Sequence, residues 1–330
     1  KAIQVTRYGG PEVLALADVE IPEPGEGEVL LKLDYAGVNF IDVYTRKGDY
    51  AKSDTYANRP PFTIGREGAG TVVKSGENVD GLAEGDRVAY CLVLGSYAEY
   101  AVVPAWRLVR VPPDFELPVA TTLMLQGCTA HYLSHSLFPL EPGHRCLVHA
   151  ASGGVGQLLL QLAKVRGAEV FATVGSEEKA KMAKARGADH VILYREQDFA
   201  EVVLEITDGE GVDVVYDAVG KATIEGSMRC VKRRGTLVNF GGASGLVTSI
   251  EPLALAEAGS IFFTRPHMAD YMRDASQIRR RAEDMFGYIK NGRLEVNIER
   301  VYPLSDAARA HEHMEAGKTT GKLLLDTAAH

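Results

Sequence analysis

Residues 147–157, Leu-Val-His-Ala-Ala-Ser-Gly-Gly-Val-Gly-Gln, constrain the fold of this 330-residue chain more than any other segment. An apolar, β-forming run enters a glycine-rich turn and leaves it as an amphipathic helix. Val155, Leu158, Leu159, Leu162 and Ala163 recur at the 3.6-residue period, so one stripe of that helix faces a sheet. Glycines at 153, 154 and 156 let the backbone approach a pyrophosphate, whose charge meets the unpaired N–H groups at the helix start. Gly153, Gly154, Val155 and Gly156 are therefore candidate cofactor contacts. Ala151 stands where the usual pattern has its first glycine.

The rest of the middle third repeats the unit. Strands are predicted at Cys146–Ala150, Val170–Val174, His190–Tyr194, Val212–Tyr216, Thr236–Phe240 and Ile261–Thr264. Helices are predicted between them at Val155–Val165, Glu177–Arg186, Phe199–Ile206 and Ala222–Arg233, with Gly167 and Gly187 as left-handed caps. Such alternation predicts an α/β fold, a Rossmann-type doubly wound parallel sheet. Residues before about 120 read differently: Glu28–Leu33, Gly70–Val73 and Tyr97–Val103 are strand-like, and Pro22, Pro24, Gly25 and Gly27 punctuate the gap before the first of them. After Arg265 a helix around Ala275–Lys290, a strand at Val296–Val301, a helix capped by Ser305 and a strand at Lys322–Asp326 are predicted. Periodicity alone leaves open whether this tail completes the second domain or returns to the first.

A chain of this length holds two ordinary domains. With 46% hydrophobic and 24% charged residues, it has the composition of a folded globular protein. No run approaches the roughly 18 apolar residues of a membrane span. The net charge of −8 argues against broad nucleic-acid binding. Arg279-Arg280-Arg281, followed by Glu283 and Asp284, reads as a solvated helix face. Cys91, Cys128, Cys146 and Cys230 show no paired spacing, which predicts reduced thiols and a cytoplasmic location.

The end of the second strand of the sheet selects the cofactor. An NAD-binding chain carries an acid there for the ribose hydroxyls, but this one reads Thr173-Val174-Gly175-Ser176. Lys179 follows, and Tyr194 ends the next strand. A missing acid beside a cation suits a 2′-phosphate, so NADPH is favoured over NADH. Glu177 and Glu178 read as first-turn acids favoured by the helix dipole.

Several segments together resemble the medium-chain dehydrogenase/reductases, specifically their zinc-free quinone oxidoreductase (zeta-crystallin-like) branch. They are Tyr8–Leu14, Gly37–Tyr44, Gly65–Gly70, Gly85–Val88, Ala150–Gly156 and Val215–Gly220, extended by Phe240–Gly245 and Thr264–Pro266. The resemblance spans nearly the whole chain. It implies a GroES-like, mainly β catalytic domain at 1–122, an NADP-binding Rossmann domain at 123–266, and a return to the catalytic domain at 267–330, with the cofactor between domains. Zinc enzymes of the superfamily place a Cys and a His where this chain has Asn39 and Arg66. An arginine stays protonated and cannot ligate zinc, and asparagine replaces a thiolate poorly. No metal is expected.

In place of a metal, the resemblance puts Asn39 and Tyr44 near the nicotinamide and Tyr50 at the substrate mouth, as neutral donors to the acceptor oxygen. The loop 47–61 around Tyr50 is longer than the family's usual form. The resemblance also implies cofactor contacts from Thr129, Val219, Phe240, Gly241, Gly242, Arg265 and Lys318. The last two could instead pair with acids. Glu67, beside Arg66, is expected in a structural hydrogen bond or ion pair. The expected activity is NADPH-dependent quinone reduction. The alternatives are reduction of an enone C=C bond, and an NADPH-binding protein with a structural or RNA-binding role. Pairing of a free sheet edge at Thr236–Phe240 or Ile261–Thr264 predicts a homodimer.

Overall fold

The computed structural model describes residues 1–56 and 58–330. The chain divides into two units, one built from Lys1–Cys128, Met272–Phe286 and Val296–His330, the other from Thr129–Tyr271 and Gly287–Glu295.

The first unit begins with eight strands: β1 (Ala2–Val5), β2 (Leu14–Ala17), β3 (Glu28–Val38), β4 (Phe62–Thr63), β5 (Glu67–Ser75), β6 (Arg87–Cys91), β7 (Tyr100–Pro104) and β8 (Val109–Arg110). The short α1 (Phe40–Lys47) leaves the end of β3. It stops at Gly48, whose φ of 84° is the left-handed turn that glycine adopts without strain. A helical run follows as α2 (Leu117–Thr122), a π-helical turn at Leu123–Gly127, and α3 (Cys128–Tyr132), of which only Cys128 belongs to this unit.

The second unit is a six-stranded parallel sheet: β9 (Arg145–Val148), β10 (Glu169–Val174), β11 (His190–Leu193), β12 (Val212–Asp217), β13 (Val231–Asn239) and β14 (Phe262–Thr264). Its order, β11-β10-β9-β12-β13-β14, reverses direction at β9 and β12, the doubly wound arrangement. The helices are α4 (Gly154–Val165), α5 (Glu177–Ala185), α6 (Phe199–Ile206), α7 (Ile224–Cys230) and α8 (Pro252–Glu257). Leu158, Leu159, Leu160 and Leu162 of α4 are at most 2% exposed, so the helix is buried beyond its expected stripe. Each such leucine contributes roughly 1.5–3 kcal/mol. Gly167 and Gly187 take the left-handed conformation, at φ 81° and 100°.

The tail supplies α9 (Ala275–Lys290), β15 (Ile298–Pro303), α10 (Ala307–Glu315) and β16 (Lys322–Asp326). β16 pairs antiparallel with β3, giving a sheet ordered β15-β16-β3-β5-β6-β8, with β7 also on β3.

Three local expectations are corrected. The helix predicted at Ala222–Arg233 is only Ile224–Cys230, because the buried Val231 already begins a strand. Ser305 lies inside a 3-10 turn, Leu304–Asp306, and its side chain caps no helix. Arg281 is 3% exposed, so only Arg279 and Arg280 form the solvated face.

Two buried polar networks fasten α1. The Lys322 ammonium lies 2.5 Å from Glu67 Oε2 and 2.9 Å from Asn39 Oδ1, with all three side chains buried. Asn39 Nδ2 donates to Glu67 Oε2 (2.8 Å) and to Gly37 O (3.2 Å), and Glu67 Oε1 accepts from Leu125 N within the π turn (2.6 Å). One residue each from β5, β16 and the start of α1 thus satisfy one another.

The second network is directional. Arginine only donates, so His311 Nδ1 accepts from Arg46 (3.1 Å) and carries its proton on Nε2. That N–H reaches the Tyr97 oxygen (3.1 Å), and the Tyr97 hydroxyl donates to Asp42 Oδ2 (3.1 Å), which also accepts from Asn39 N (2.9 Å). Burial pushes Asp42 up to about 7 and, with the nearby Arg46 charge, takes His311 down to about 3.

Removing one partner of the Lys322–Glu67 pair strands a buried charge. Lys322→Met is expected to lose roughly 3–5 kcal/mol of unfolding free energy. The Lys322→Met/Glu67→Gln double variant is expected to recover part of that loss, as read by denaturant titration; simple additivity would contradict the coupling.

Folded Asp42 keeps its proton to about pH 7, so its contribution to stability is full in acid and lost as pH rises from about 4 to 7. His311 runs oppositely, contributing fully above about pH 6.5 and losing stability as pH falls toward 3. Tm measured at about pH 5 and about pH 7.5 is therefore expected to shift toward the higher pH in Asp42→Asn and toward the lower in His311→Asn.

Candidate functional site

The candidate cofactor residues of the second unit gather at the carboxyl ends of its strands, where open α/β sheets bind ligands. Gly153 immediately precedes α4, and its extended backbone (φ −76°, ψ 172°) carries no side chain to cap the first N–H groups. Gly154, Val155 and Gly156 form that first turn. A Cβ on Gly156 would lie 2.4 Å from Ala150 O and 2.8 Å from Ala151 Cα, so only glycine lets the helix start this close to β9. Four features fit a dinucleotide pyrophosphate: an uncapped helix end, a side-chain-free approach, a strand behind it, and the sheet's switch point.

Beyond β10 the same logic applies to Gly175. A Cβ there would sit 2.9 Å from Tyr194 Oη and 3.3 Å from Arg195 Nε. Ser176 caps α5 by accepting from Lys179 N (3.4 Å), which places the Lys179 backbone in the first turn. Gly175 thus lies against Tyr194, and Ser176 against the Lys179 backbone. The structure adds Arg195, which sequence reasoning missed. It follows Tyr194 directly, and a cation at that strand end was the available signal. Arg195 is exposed and has no ion-pair partner among the described residues.

A third group lies after β12, β13 and β14. Asp217 Oδ1 accepts from Val219 N and Gly220 N, both at 2.8 Å, and Asp217 O accepts from Phe240 N (2.9 Å). Gly241 runs so close to Ala218 that a Cβ would meet its carbonyl oxygen at 2.3 Å. Gly242 completes this turn against Leu246, whose Cδ2 a Cβ would meet at 2.7 Å. Arg265 Nη1 donates to Asn239 O (3.0 Å) and Gly241 O (2.7 Å), so it clasps loop carbonyls and pairs with no acid among the described residues. Thr129 Oγ1 lies 3.5 Å from the Met268 sulfur.

Behind the loops, buried His149 bridges Thr173 Oγ1 (2.8 Å) and Ser227 Oγ (3.0 Å), and Ser227 donates to Asp217 Oδ2 (3.0 Å). Burial lowers the His149 pKa, leaving a neutral strut between strand ends. Sequence reading missed this support because its members are 24 and 78 residues apart.

In the first unit, Asn39 is 4% exposed, and both of its amide N–H groups are spent on Glu67 and Gly37. It therefore anchors α1 and offers no spare donor. Tyr44, one turn on, is 8% exposed and meets Tyr50 edge-on at 5.7 Å. Tyr50 meets Tyr56 at 5.4 Å, and the Arg66 guanidinium lies 5.3 Å from the Tyr56 ring centre. Lys318 is exposed in the turn between α10 and β16, with no ion-pair partner among the described residues. Among those residues no group of three or more His, Cys, Asp or Glu side chains is placed to hold a metal ion. The four cysteines are free and buried, and burial raises every thiol.

Comparison with known proteins matches two families. The alcohol dehydrogenase GroES-like domain covers residues 25–113 and the zinc-binding dehydrogenase family residues 186–325. A quinone oxidoreductase of Pseudomonas aeruginosa is 41% identical over 98% of this chain and 99% of its own. A 2-haloacrylate reductase of Burkholderia is 39% identical over 98% of each. The Escherichia coli quinone oxidoreductase, solved in complex with NADPH, superposes with a TM-score of 0.94 at 38% identity, over 98% of this chain and 99% of its own. With such identity over nearly its whole length, the chain belongs to the quinone oxidoreductase branch of the medium-chain dehydrogenase/reductases.

Proposed function

We infer that this protein is an NADPH-dependent quinone reductase that needs no metal. The observation that carries this reading is the pair of glycine-floored cradles: the uncapped start of α4, and Gly175 beside Lys179, Tyr194 and Arg195. The first suits a pyrophosphate and the second, cationic and lacking an acid on the strand tip, suits a 2′-phosphate. Bound there, NADPH supplies the hydride. Val219, Phe240, Gly241 and Gly242 shape the nicotinamide side of the cradle, with Arg265 fixing their loop; Thr129 and Lys318 complete the proposed contacts. The acceptor lies against Tyr44 and Tyr50, on the helix and loop that Asn39 anchors. The kinship with the Escherichia coli and Pseudomonas aeruginosa enzymes supports a quinone as acceptor.

The 39% identity to a 2-haloacrylate reductase favours one second reading, reduction of an activated C=C bond on the same scaffold. The proposed division of labour assigns residues 1–122 and 267–330 to catalysis and 123–266 to NADPH. Four free, buried cysteines suit the proposed cytoplasmic setting. The β14 edge, with Phe262 63% exposed, suits pairing with a second copy.

With a simple benzoquinone, NADPH oxidation is expected to be fast, insensitive to chelators and slower with NADH. NADPH binding without turnover would redirect the reading to enones. Lys179→Ala and Arg195→Ala are each expected to weaken NADPH about tenfold while leaving NADH unchanged, as read by calorimetry. Light scattering is expected to give twice the 35.7 kDa chain mass; a single-chain mass would remove the homodimer.

A further inference from the structure

We propose that Arg66 receives the acceptor's carbonyl oxygen and stabilises the negative charge it gains on reduction. The inference rests on the reductase reading above and names the chemistry its substrate must have: a flat, conjugated carbonyl compound.

Arg66 is only 5% exposed. A guanidinium stays charged in proteins, so burying one without an anion is unfavourable. Yet among the described residues no carboxylate lies within ion-pair distance of Arg66. Its one hydrogen bond runs from Nη2 to the Tyr56 carbonyl (3.1 Å), and Nε is buried without a partner among the described residues. The two acids nearby are otherwise engaged. Glu67, its chain neighbour, is bound to Lys322, Asn39 and Leu125 N. Asp42 accepts from Asn39 N and Tyr97, and its proton is held to about pH 7. The cation is therefore left for something the chain does not supply.

The surroundings define what that is. Tyr56 lies under the guanidinium, Tyr50 against Tyr56, and Tyr44 against Tyr50. This row of rings suits a planar conjugated molecule lying beside it with an oxygen toward the cation. When the acceptor takes the hydride that NADPH gives up on becoming NADP⁺, the electron pair of its C=O bond moves onto oxygen. The product is a phenolate from a quinone or an enolate from an enone, and water then supplies the proton. Arg66 keeps its own protons throughout. Donors already in place where charge develops are worth more in a water-poor site than in solution.

The test uses p-nitrophenol, a product mimic whose ionisation is visible by absorbance, with the full-length protein and no cofactor. Wild type is expected to bind the phenolate in preference to the phenol, moving its ionisation to lower pH. Arg66→Gln is expected to abolish the shift and Arg66→Lys to retain part of it. In steady state with a benzoquinone, Arg66→Gln is expected to lower kcat about 100-fold while NADPH affinity stays within about twofold. Equal binding of phenol and phenolate by wild type would overturn the proposal, even if Arg66→Gln fails to fold. So would a folded Arg66→Gln with wild-type kcat. Absence of quinone turnover in wild type would instead count against the proposed function, leaving the phenolate result to judge Arg66 separately.

Discussion

The buried contact of Lys322 with Glu67 is the constraint on which the first unit depends. Neither charge reaches water, so each must be matched by the other and by further hydrogen bonds. The matching recruits Asn39 at the start of α1, Leu125 in the π turn, and β16 from the far end of the chain. A π turn takes its i→i−4 amides out of register, and here one released N–H finds the carboxylate. The start of α1, and with it the tyrosine row, is thereby set by residues more than 280 positions apart.

The second unit solves a different problem: holding several loops at fixed height with no side chain in the ligand's way. Glycine supplies the clearance at 156, 175 and 241, and buried polar side chains behind the loops supply the stiffness. Asp217 is the busiest of these, binding two amides, Thr223 and Ser227. Arg265 does from β14 what Asp217 does from β12, with donors in place of acceptors. Preorganisation therefore comes from groups that need not touch the ligand.

The parallel sheet and its switch point were legible because they rest on local pattern: apolar runs, helical periodicity and glycine turns within one βα unit. The approach of Tyr194 to Gly175 was legible through strand-end positions, and that of Arg195, one residue further, was reachable by the same route. The Asp42–Tyr97–His311–Arg46 chain was not, since its members come from four distant segments and none carries a local signature. Asn39 shows the limit most plainly. The resemblance gives its position, yet only the network shows that its amide donors are already committed. The end of α7 was misjudged because a helix-like sequence at 231–233 yields to the sheet, a tertiary preference overriding a local one.

Gly37 carries a consequence for how this chain can change. Its backbone is ordinary extended strand, yet a Cβ there would stand 1.9 Å from Glu67 Oε2 and 2.8 Å from Lys322 Nζ. The glycine is thus the imprint of a carboxylate 30 positions away in sequence. With Glu67 and Lys322 in place, any side chain at position 37 pushes both charged groups out of their buried contact. Position 37 is thereby tied to the acid and the lysine, and its freedom to vary depends on theirs.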